Sequence, residues 1–122
     1  MTKIIIRGRI PSKKNSKIMV CRGSRPILLP STKYKEWHAD ASDQITKQEI
    51  EPVKGPLRHV LATFFSPDLR KFDLSNKFES VADLLVDNGI IEDDNYAFMP
   101  SVHMIYGGVD REDPRVEVVL NI

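Results

Sequence analysis

Two acidic clusters in the second half of the chain hold residue types that could do chemistry. The first runs from Asp73 to Glu79 and includes Ser75 and Asn76, and the second is 92–94, Glu-Asp-Asp. Hard divalent cations such as Mg²⁺ prefer oxygen ligands, commonly a pair of carboxylates, with water and substrate phosphate completing the shell. Such an ion can generate a nucleophilic hydroxide and offset charge on a phosphodiester. The clusters therefore indicate metal-assisted phosphodiester hydrolysis.

Basic residues are concentrated at the other end of the chain. Residues 1–35 contain ten Lys or Arg and no acid, whereas residues 61–122 contain five Lys or Arg and twelve Asp or Glu. The formal net charge of +1 hides this segregation. It is typical of a polyanion-binding surface beside a carboxylate cluster, although solvated charge is an alternative. The side chains expected to bind DNA phosphates are Lys13, Lys14, Lys17, Arg22, Arg25 and Lys71.

Each acidic cluster also has a purely structural interpretation. Asp73, Ser75 or Asn76 could cap a helix, and Asn76 with Glu79 three residues later resembles a capping box. The pair Asp93-Asp94 could be only a polar turn. From residue types and spacing alone, both interpretations stay open.

The elements that must position these clusters follow from periodicity and turn residues. Apolar residues at helical spacing predict helices over about 32–48, capped by Ser31 or Thr32, and from near Ser75 to Asp87. Gly89 suits the end of the second helix. Short apolar runs predict strands over 3–7, 17–21, 27–29, 57–65, 90–91, 102–106 and 115–121, with a turn at 107–108. The strand over 57–65 is expected to be central and apolar on both faces.

The predicted architecture is a single α+β domain over 1–122, with a mixed sheet of about four to six strands and two main helices. A helix of about 14 residues is roughly 20 Å long. Asp94 can therefore meet Asp73 only if the chain doubles back after the second helix.

Length and composition exclude several classes of protein. The chain has 122 residues and 13.9 kDa, which suits one domain. Its single cysteine, Cys21, excludes an internal disulfide framework. No stretch approaches the roughly 18 apolar residues that a membrane span requires. We therefore expect no membrane association and a cytoplasmic location.

An ordered set of motifs resembles the RusA family of Holliday junction resolvases. The set comprises Asp73-Leu74-Ser75-Asn76, Asp83-Leu84-Leu85 and the segment 89–94, Gly-Ile-Ile-Glu-Asp-Asp. The loop 10–16, the region from Leu29 to Trp37 and the strand 115–118 are similar to the family as well. The resemblance covers nearly the whole chain.

The resemblance implies a RusA-like fold and a small homodimer, often carried by phages or prophages. It implies a Mg²⁺- or Mn²⁺-dependent enzyme of recombination and repair that resolves four-way DNA junctions by paired symmetric nicks.

Family members use three aspartates and a lysine at the active site. Two of those positions carry other residues here, Ser75 and Glu79. Lys77 or Lys71 could supply the missing cation. The expected metal ligands are Asp73, Asp93, Asp94, Glu79 and Ser75, and the expected catalytic residues are Asp73, Asp94, Glu79 and Lys77. The alternative is a protein that binds branched DNA and has lost cleavage.

Overall fold

A computed structural model describes residues 1–12 and 17–122. The described residues form a single α+β domain with six strands and two helices, as the sequence predicts. Four strands form a mixed sheet in the order β1-β6-β4-β5, in which only β4 and β5 are parallel, and β2 and β3 form a separate hairpin. The elements are β1 Thr2–Arg7, β2 Lys17–Arg22, β3 Arg25–Pro30, α1 Thr32–Lys47, β4 Val60–Ser66, α2 Leu74–Asp87, β5 Val102–Val109 and β6 Arg115–Leu120.

Strand β4 lies in the middle of the main sheet and alternates strictly in burial. Val60, Ala62 and Phe64 are buried in the same core cluster as the apolar residues of α1 and α2. The alternate residues, such as Leu61 and Phe65, are only partly buried. The strand is central and carries apolar residues on both faces, as predicted, but only the face of Val60, Ala62 and Phe64 is buried in the core.

The start of α1 follows the capping rule. Ser31 is the N-cap, and its Oγ accepts a hydrogen bond from the backbone N of Tyr34 at 3.1 Å. Such a bond satisfies one of the backbone donors left free in the first turn. Tyr34, Ala41 and Ile45 are buried, which confirms the predicted apolar stripe.

The end of α2 is a Schellman turn that reverses the chain. Gly89 adopts a φ of +70°, which glycine tolerates without steric cost. Its N donates to Val86 O at 3.0 Å, and the N of Ile90 donates to Leu85 O at 2.9 Å. The predicted strand over 90–91 is wrong. Ile90 and Ile91 are buried core residues of this turn, and their apolar character reflects that position rather than sheet pairing.

Strand β5 is longer than its sequence indicates. The predicted turn at Gly107-Gly108 is wrong, because both glycines lie within β5, where the register with β4 shifts between Phe64 and Phe65. Gly108 has a φ of +112°, and a Cβ atom at Gly107 would lie 2.6 Å from the Phe65 ring. The glycines therefore form a bulge that keeps the strand in the sheet.

Candidate functional site

Asp73 is the N-cap residue of α2, but its side chain does not cap the helix. Its backbone is extended, and within the described part of the chain its carboxylate accepts no hydrogen bond from a backbone N–H of the first helical turn. Instead Asp73 Oδ2 accepts a bond from the Asn76 side-chain Nδ2 at 3.2 Å. The interpretations in which Ser75 or Asn76 is the N-cap are therefore wrong. The Asp73 carboxylate remains available to a ligand.

A pocket of about 840 Å³ opens beside this helix start. It contains an acid, Asp73, and two cations, Arg70 and Lys71, so it could hold a phosphate and a divalent ion side by side. The Lys71 predicted to bind DNA is thus brought next to the Asp73 predicted to bind metal. The lining residues are Ser12, Leu69, Arg70, Lys71, Phe72, Asp73, Leu74, Asn76 and Tyr106.

The loop that carries the pocket cations is held in place by Asp68. Its carboxylate accepts a hydrogen bond from the backbone N of Arg70 at 3.0 Å and forms an ion pair with Arg9. The amide of Arg70 and the guanidinium of Arg9 hold the pKa of Asp68 below its usual range. Ser66 Oγ lies 2.9 Å from the Tyr106 hydroxyl and donates to Asp68 O at 3.0 Å. These contacts tie the loop to strands β4 and β5.

Lys77 does not line the pocket itself but contacts a residue that does. Its Nζ is 4.3 Å from the centroid of the Phe72 ring, and that ring meets Tyr106 edge-on at a centroid distance of 5.9 Å. Lys77 is half-buried, and burial lowers its pKa, with a further contribution from Arg9. Lys77 follows Asp73 by about one helical turn, and its role as the substitute lysine stays a prediction.

Asp94 returns alongside α2, but the carboxylates that affect it are not those expected. Burial and the neighbouring Asp93 and Asp83 raise the pKa of Asp94. Asp83 lies ten residues after Asp73, a separation of roughly 15 Å along the helix axis. The influence of Asp83 indicates that Asp94 lies nearer to the third turn of α2 than to the first turn, where Asp73 is found. Ligation of one metal by Asp73 and Asp94 together stays a prediction.

The segment around Asp93 is also the polar turn considered above. Asp93 Oδ1 accepts from Asp94 N at 2.7 Å, and Asp93 Oδ2 accepts from Asn95 Nδ2 at 3.0 Å. On the helix side, Asp83 Oδ2 accepts a bond from the Tyr34 hydroxyl at 3.3 Å. Burial and Asp83 together raise the pKa of Tyr34 far above its ordinary value, so Tyr34 acts as a neutral donor to Asp83.

Asp83, Asp93 and Asp94 carry oxygen donors of the kind that hard divalent cations prefer, and burial is the main cause of the raised pKa of Asp94. In residues 1–12 and 17–122, no three His, Cys, Asp or Glu side chains form a preassembled metal group. Ligation by two carboxylates, with water and phosphate filling the shell, is the arrangement that these residues allow.

The remaining predicted residues lie outside the pocket. Ser75 and Glu79 are exposed on α2, and across the described residues neither side chain makes a hydrogen bond or ion pair. Lys17, Arg22 and Arg25 are exposed on the β2–β3 hairpin. Lys13 and Lys14 lie outside the described residues.

The sequence-based set of site residues lacks four contributors found among the described residues: Arg9, Asp68, Arg70 and Tyr106. Arg9 and Asp68 are 59 positions apart, so no local spacing links them. Asp68 does follow Ser66-Pro67, a typical turn signal, and this was the one available indication that its carboxylate organises a loop.

Comparisons with protein-family models and with curated proteins found no match for this chain. Neither helix of the described structure is long and apolar enough to cross a membrane.

Proposed function

We propose that this chain is a Mg²⁺-dependent endonuclease that cuts four-way DNA junctions, as its resemblance to the RusA family implies. The observation that carries the proposal is the position of Asp73. A carboxylate at a helix N-cap normally accepts a bond from a backbone N–H of the first turn, whereas this one bonds to the Asn76 side chain and lines a pocket together with Arg70 and Lys71. A metal-binding carboxylate beside phosphate-binding cations is the minimum that metal-assisted phosphodiester hydrolysis requires.

Each residue has a role that its surroundings support. Asp73, Asp94 and Asp93 are the proposed Mg²⁺ ligands, with Mn²⁺ as a possible replacement. When bound, the metal would supply an activated water and stabilise charge on the phosphate. Lys71 binds the DNA backbone at the mouth of the pocket. Lys77 is the proposed source of further positive charge at the site, since its Nζ lies 4.3 Å from the centroid of the Phe72 ring that lines the pocket.

The exposed hairpin supplies a second region of DNA contact. The hairpin carries three exposed cations, Lys17, Arg22 and Arg25, and no described residue forms an ion pair with them. Each phosphate neutralised releases counterions, so binding should weaken with salt at a slope of about −0.9 per phosphate contact. Two opposed nicks require two sites, and we therefore propose a homodimer.

A synthetic four-way junction, incubated with and without Mg²⁺ and analysed on a denaturing gel, tests the proposal. We expect paired nicks from the natural chain and none from Asp73→Asn, because a neutral amide is a much weaker metal ligand. Asp43→Asn, which alters an exposed carboxylate on α1 paired with Lys47, is the matched control and should cut normally. Absence of cleavage in both Mg²⁺ and Mn²⁺ would contradict the nuclease.

A binding protein without cleavage is the second candidate, and one observation favours it. Ser75 and Glu79 replace the family's second aspartate and its lysine, and both side chains are exposed without described partners. Tight, salt-dependent binding to junctions without nicking would identify this function.

A further inference from the structure

The β2–β3 hairpin is separate from the main sheet. Its strands form a two-stranded sheet of their own, which runs from the pair Lys17–Pro30 at the base to the pair Arg22–Arg25 at the turn. An isolated hairpin is only marginally stable in water, because it has no second layer on which to bury an apolar face. Apolar side chains left open on such an arm therefore indicate a surface that covers them.

One face of the hairpin is apolar and open to solvent. On paired strands, residues directly opposite each other share a face, and so does every second residue along each strand. Met19 and Leu28 form such a pair, and they are 68% and 60% exposed. The apolar pair Val20–Ile27 on the opposite face is half-buried. The outer face consists of six exposed residues: Lys17, Met19, Cys21, Pro26, Leu28 and Pro30.

The charges of the hairpin indicate the kind of partner that covers this face. Residues 17–30 include three cations and no Asp or Glu. Lys17 lies at the base, and Arg22 and Arg25 lie at the turn, so cations flank the apolar pair at both ends. An apolar protein surface offers these charges nothing, whereas duplex DNA offers phosphates on either side of stacked, apolar base faces.

The dimensions of the arm match those of a DNA groove. Lys17 and Arg22 are five residues apart on an extended strand, a separation of about 17 Å. The minor groove is roughly 6 Å wide, so the two long side chains can reach the phosphate backbones on both of its sides. Met19 lies between them and points to the same face as Leu28.

We infer that the hairpin enters the minor groove of a duplex arm and that Met19 and Leu28 wedge into one base step. Minor-groove proteins use Met, Leu, Ile or Pro in this way, and the wedge partly unstacks the step and kinks the duplex. Burial of the two side chains and the added phosphate contacts offset the cost of unstacking. The inference rests on the proposed function and deepens it, because it names a base-step contact that selects the substrate.

The wedge predicts a preference for deformable DNA. A TA step is easily kinked, whereas an A-tract is stiff. The hairpin is therefore expected to favour a duplex with a central TA step, although it forms no hydrogen bond to a base there.

DNA bending, measured in EDTA so that no cleavage occurs, gives the first test. A TA-step duplex labelled with a donor and an acceptor dye at its ends should show increased energy transfer on binding the natural chain. A 2-aminopurine placed at that step should brighten as it unstacks. Met19→Ser with Leu28→Ser should abolish both signals and the preference for the TA-step duplex over an A-tract duplex.

Two further variants control this measurement. Met19→Leu with Leu28→Met keeps an apolar wedge and should retain the bend. Ile122→Ser changes an apolar residue that is 53% exposed at the C-terminus, and it should bend DNA as the natural chain does. Urea unfolding should give the same midpoint for the serine double variant and the natural chain, because both substituted side chains face solvent.

A salt titration separates the wedge from the cations. Arg22→Ala with Arg25→Ala should flatten the dependence of log affinity on log salt by about 1.8, which is about 0.9 for each lost phosphate contact. The serine double variant should bind about tenfold more weakly at every salt concentration, with the slope unchanged, because it removes no charge.

The outcomes distinguish this inference from the proposed nuclease. Equal bending by the natural chain and the serine double variant, or binding of the natural chain without bending, would overturn the inference. Junction cleavage by the same proteins in Mg²⁺ is scored separately: a chain that bends DNA through Met19 and Leu28 but never nicks it keeps the wedge and loses the nuclease. A serine double variant that bends DNA normally but differs in mass by light scattering would show that the outer face covers a protein instead.

Discussion

The ammonium of Lys77 lies 4.3 Å from the centroid of the Phe72 ring, where the chain enters α2. This contact holds the cation beside the pocket that Asp73 lines, and burial lowers the lysine's pKa. A cation–π contact contributes about 0.5–1 kcal/mol at exposed sites, which is small beside the cost of dehydrating a charge. The contact with Phe72 therefore offsets only part of the cost of burying the ammonium of Lys77.

We expect Lys77→Met to reduce junction cleavage by at least about tenfold, the factor that 1.36 kcal/mol of transition-state stabilisation represents. Methionine keeps the side-chain bulk against Phe72 and removes the charge. Lys35→Met, at an exposed position of α1, should leave the cleavage rate unchanged. Equal cleavage rates for Lys77→Met and the natural chain would remove Lys77 from the mechanism.

The lowered pKa of Lys77 also predicts how stability depends on pH. The folded state binds this proton less tightly than the unfolded state, so charged Lys77 costs stability at neutral pH. That cost disappears as pH rises from the lowered pKa of the folded state to the pKa that Lys77 has in the unfolded state. Urea unfolding from pH 7 upward should therefore show the natural chain gaining stability relative to Lys77→Met.

A comparison of the two helix starts separates capping from function. Ser31→Ala removes the bond to Tyr34 N and should cost about 1 kcal/mol of unfolding free energy, with cleavage kept. Asp73→Asn removes no capping bond and should change stability by less than about 0.5 kcal/mol, while cleavage is lost. Chemical denaturation of both variants measures these changes in unfolding free energy. A large stability loss in Asp73→Asn would mean that Asp73 is a structural cap.

Local patterns were sufficient to predict most of the fold. The apolar residues of α2 recur at three and four residues, and all of Phe78, Val81, Ala82 and Leu85 are buried as expected. The prediction of a strand over 90–91 was wrong because two buried isoleucines after a helix look the same in either setting. Periodicity over two residues cannot distinguish a turn anchored in the core from a strand.

The site was less predictable, because it depends on contacts between distant parts of the chain. The positions of Asp73 and Lys77 follow from their places at the start of α2. The ion pair of Arg9 with Asp68 and the approach of Asp94 to Asp83 depend on how the sheet and helices pack, which local spacing does not specify. The predictions for Lys13 and Lys14 fall outside the described residues and stay untested.

The loop held by Asp68 should lose its anchor in acid. The pKa of Asp68 is lower in the folded state than in the unfolded state. Ionised Asp68 therefore stabilises the fold fully at pH values above its unfolded-state pKa, and this stabilisation is lost as pH falls through the folded-state pKa. The natural chain should therefore be more stable than Asp68→Asn at pH 7, and the difference should vanish in acid. Thermal unfolding across this range measures it. A difference independent of pH would show that the charge of Asp68 is not what holds the loop.

Magnesium should stabilise the natural chain through Asp94. A ligand that binds only the folded state adds about 2.7 kcal/mol at a hundredfold excess over its dissociation constant. We expect Mg²⁺ to raise the Tm of the natural chain and of the control Glu36→Gln, but not that of Asp94→Asn. Without metal, Asp94→Asn should be slightly the more stable protein, because the raised pKa means that ionised Asp94 is unfavourable at pH 7. A Tm that rises equally in all three would place the metal elsewhere.

Glu79 and Ser75 test whether the departures from the family pattern matter. Both side chains are exposed, one turn apart on α2, so substitutions there should cost less than about 1 kcal/mol of stability. If Glu79 is a substitute ligand, Glu79→Gln should lose cleavage as Asp73→Asn does. If it only faces solvent, the variant should cut normally.

The double change Ser75→Asp with Glu79→Lys rebuilds the family pattern and adds a favourable pair at i,i+4. An active natural chain should then cut at least as well after the change, whereas an inert one that gains nicking would be a nuclease disabled at these two positions. If the natural chain, Glu79→Gln and the double variant all leave junctions uncut in Mg²⁺ and in Mn²⁺, the acidic face of α2 has no catalytic role.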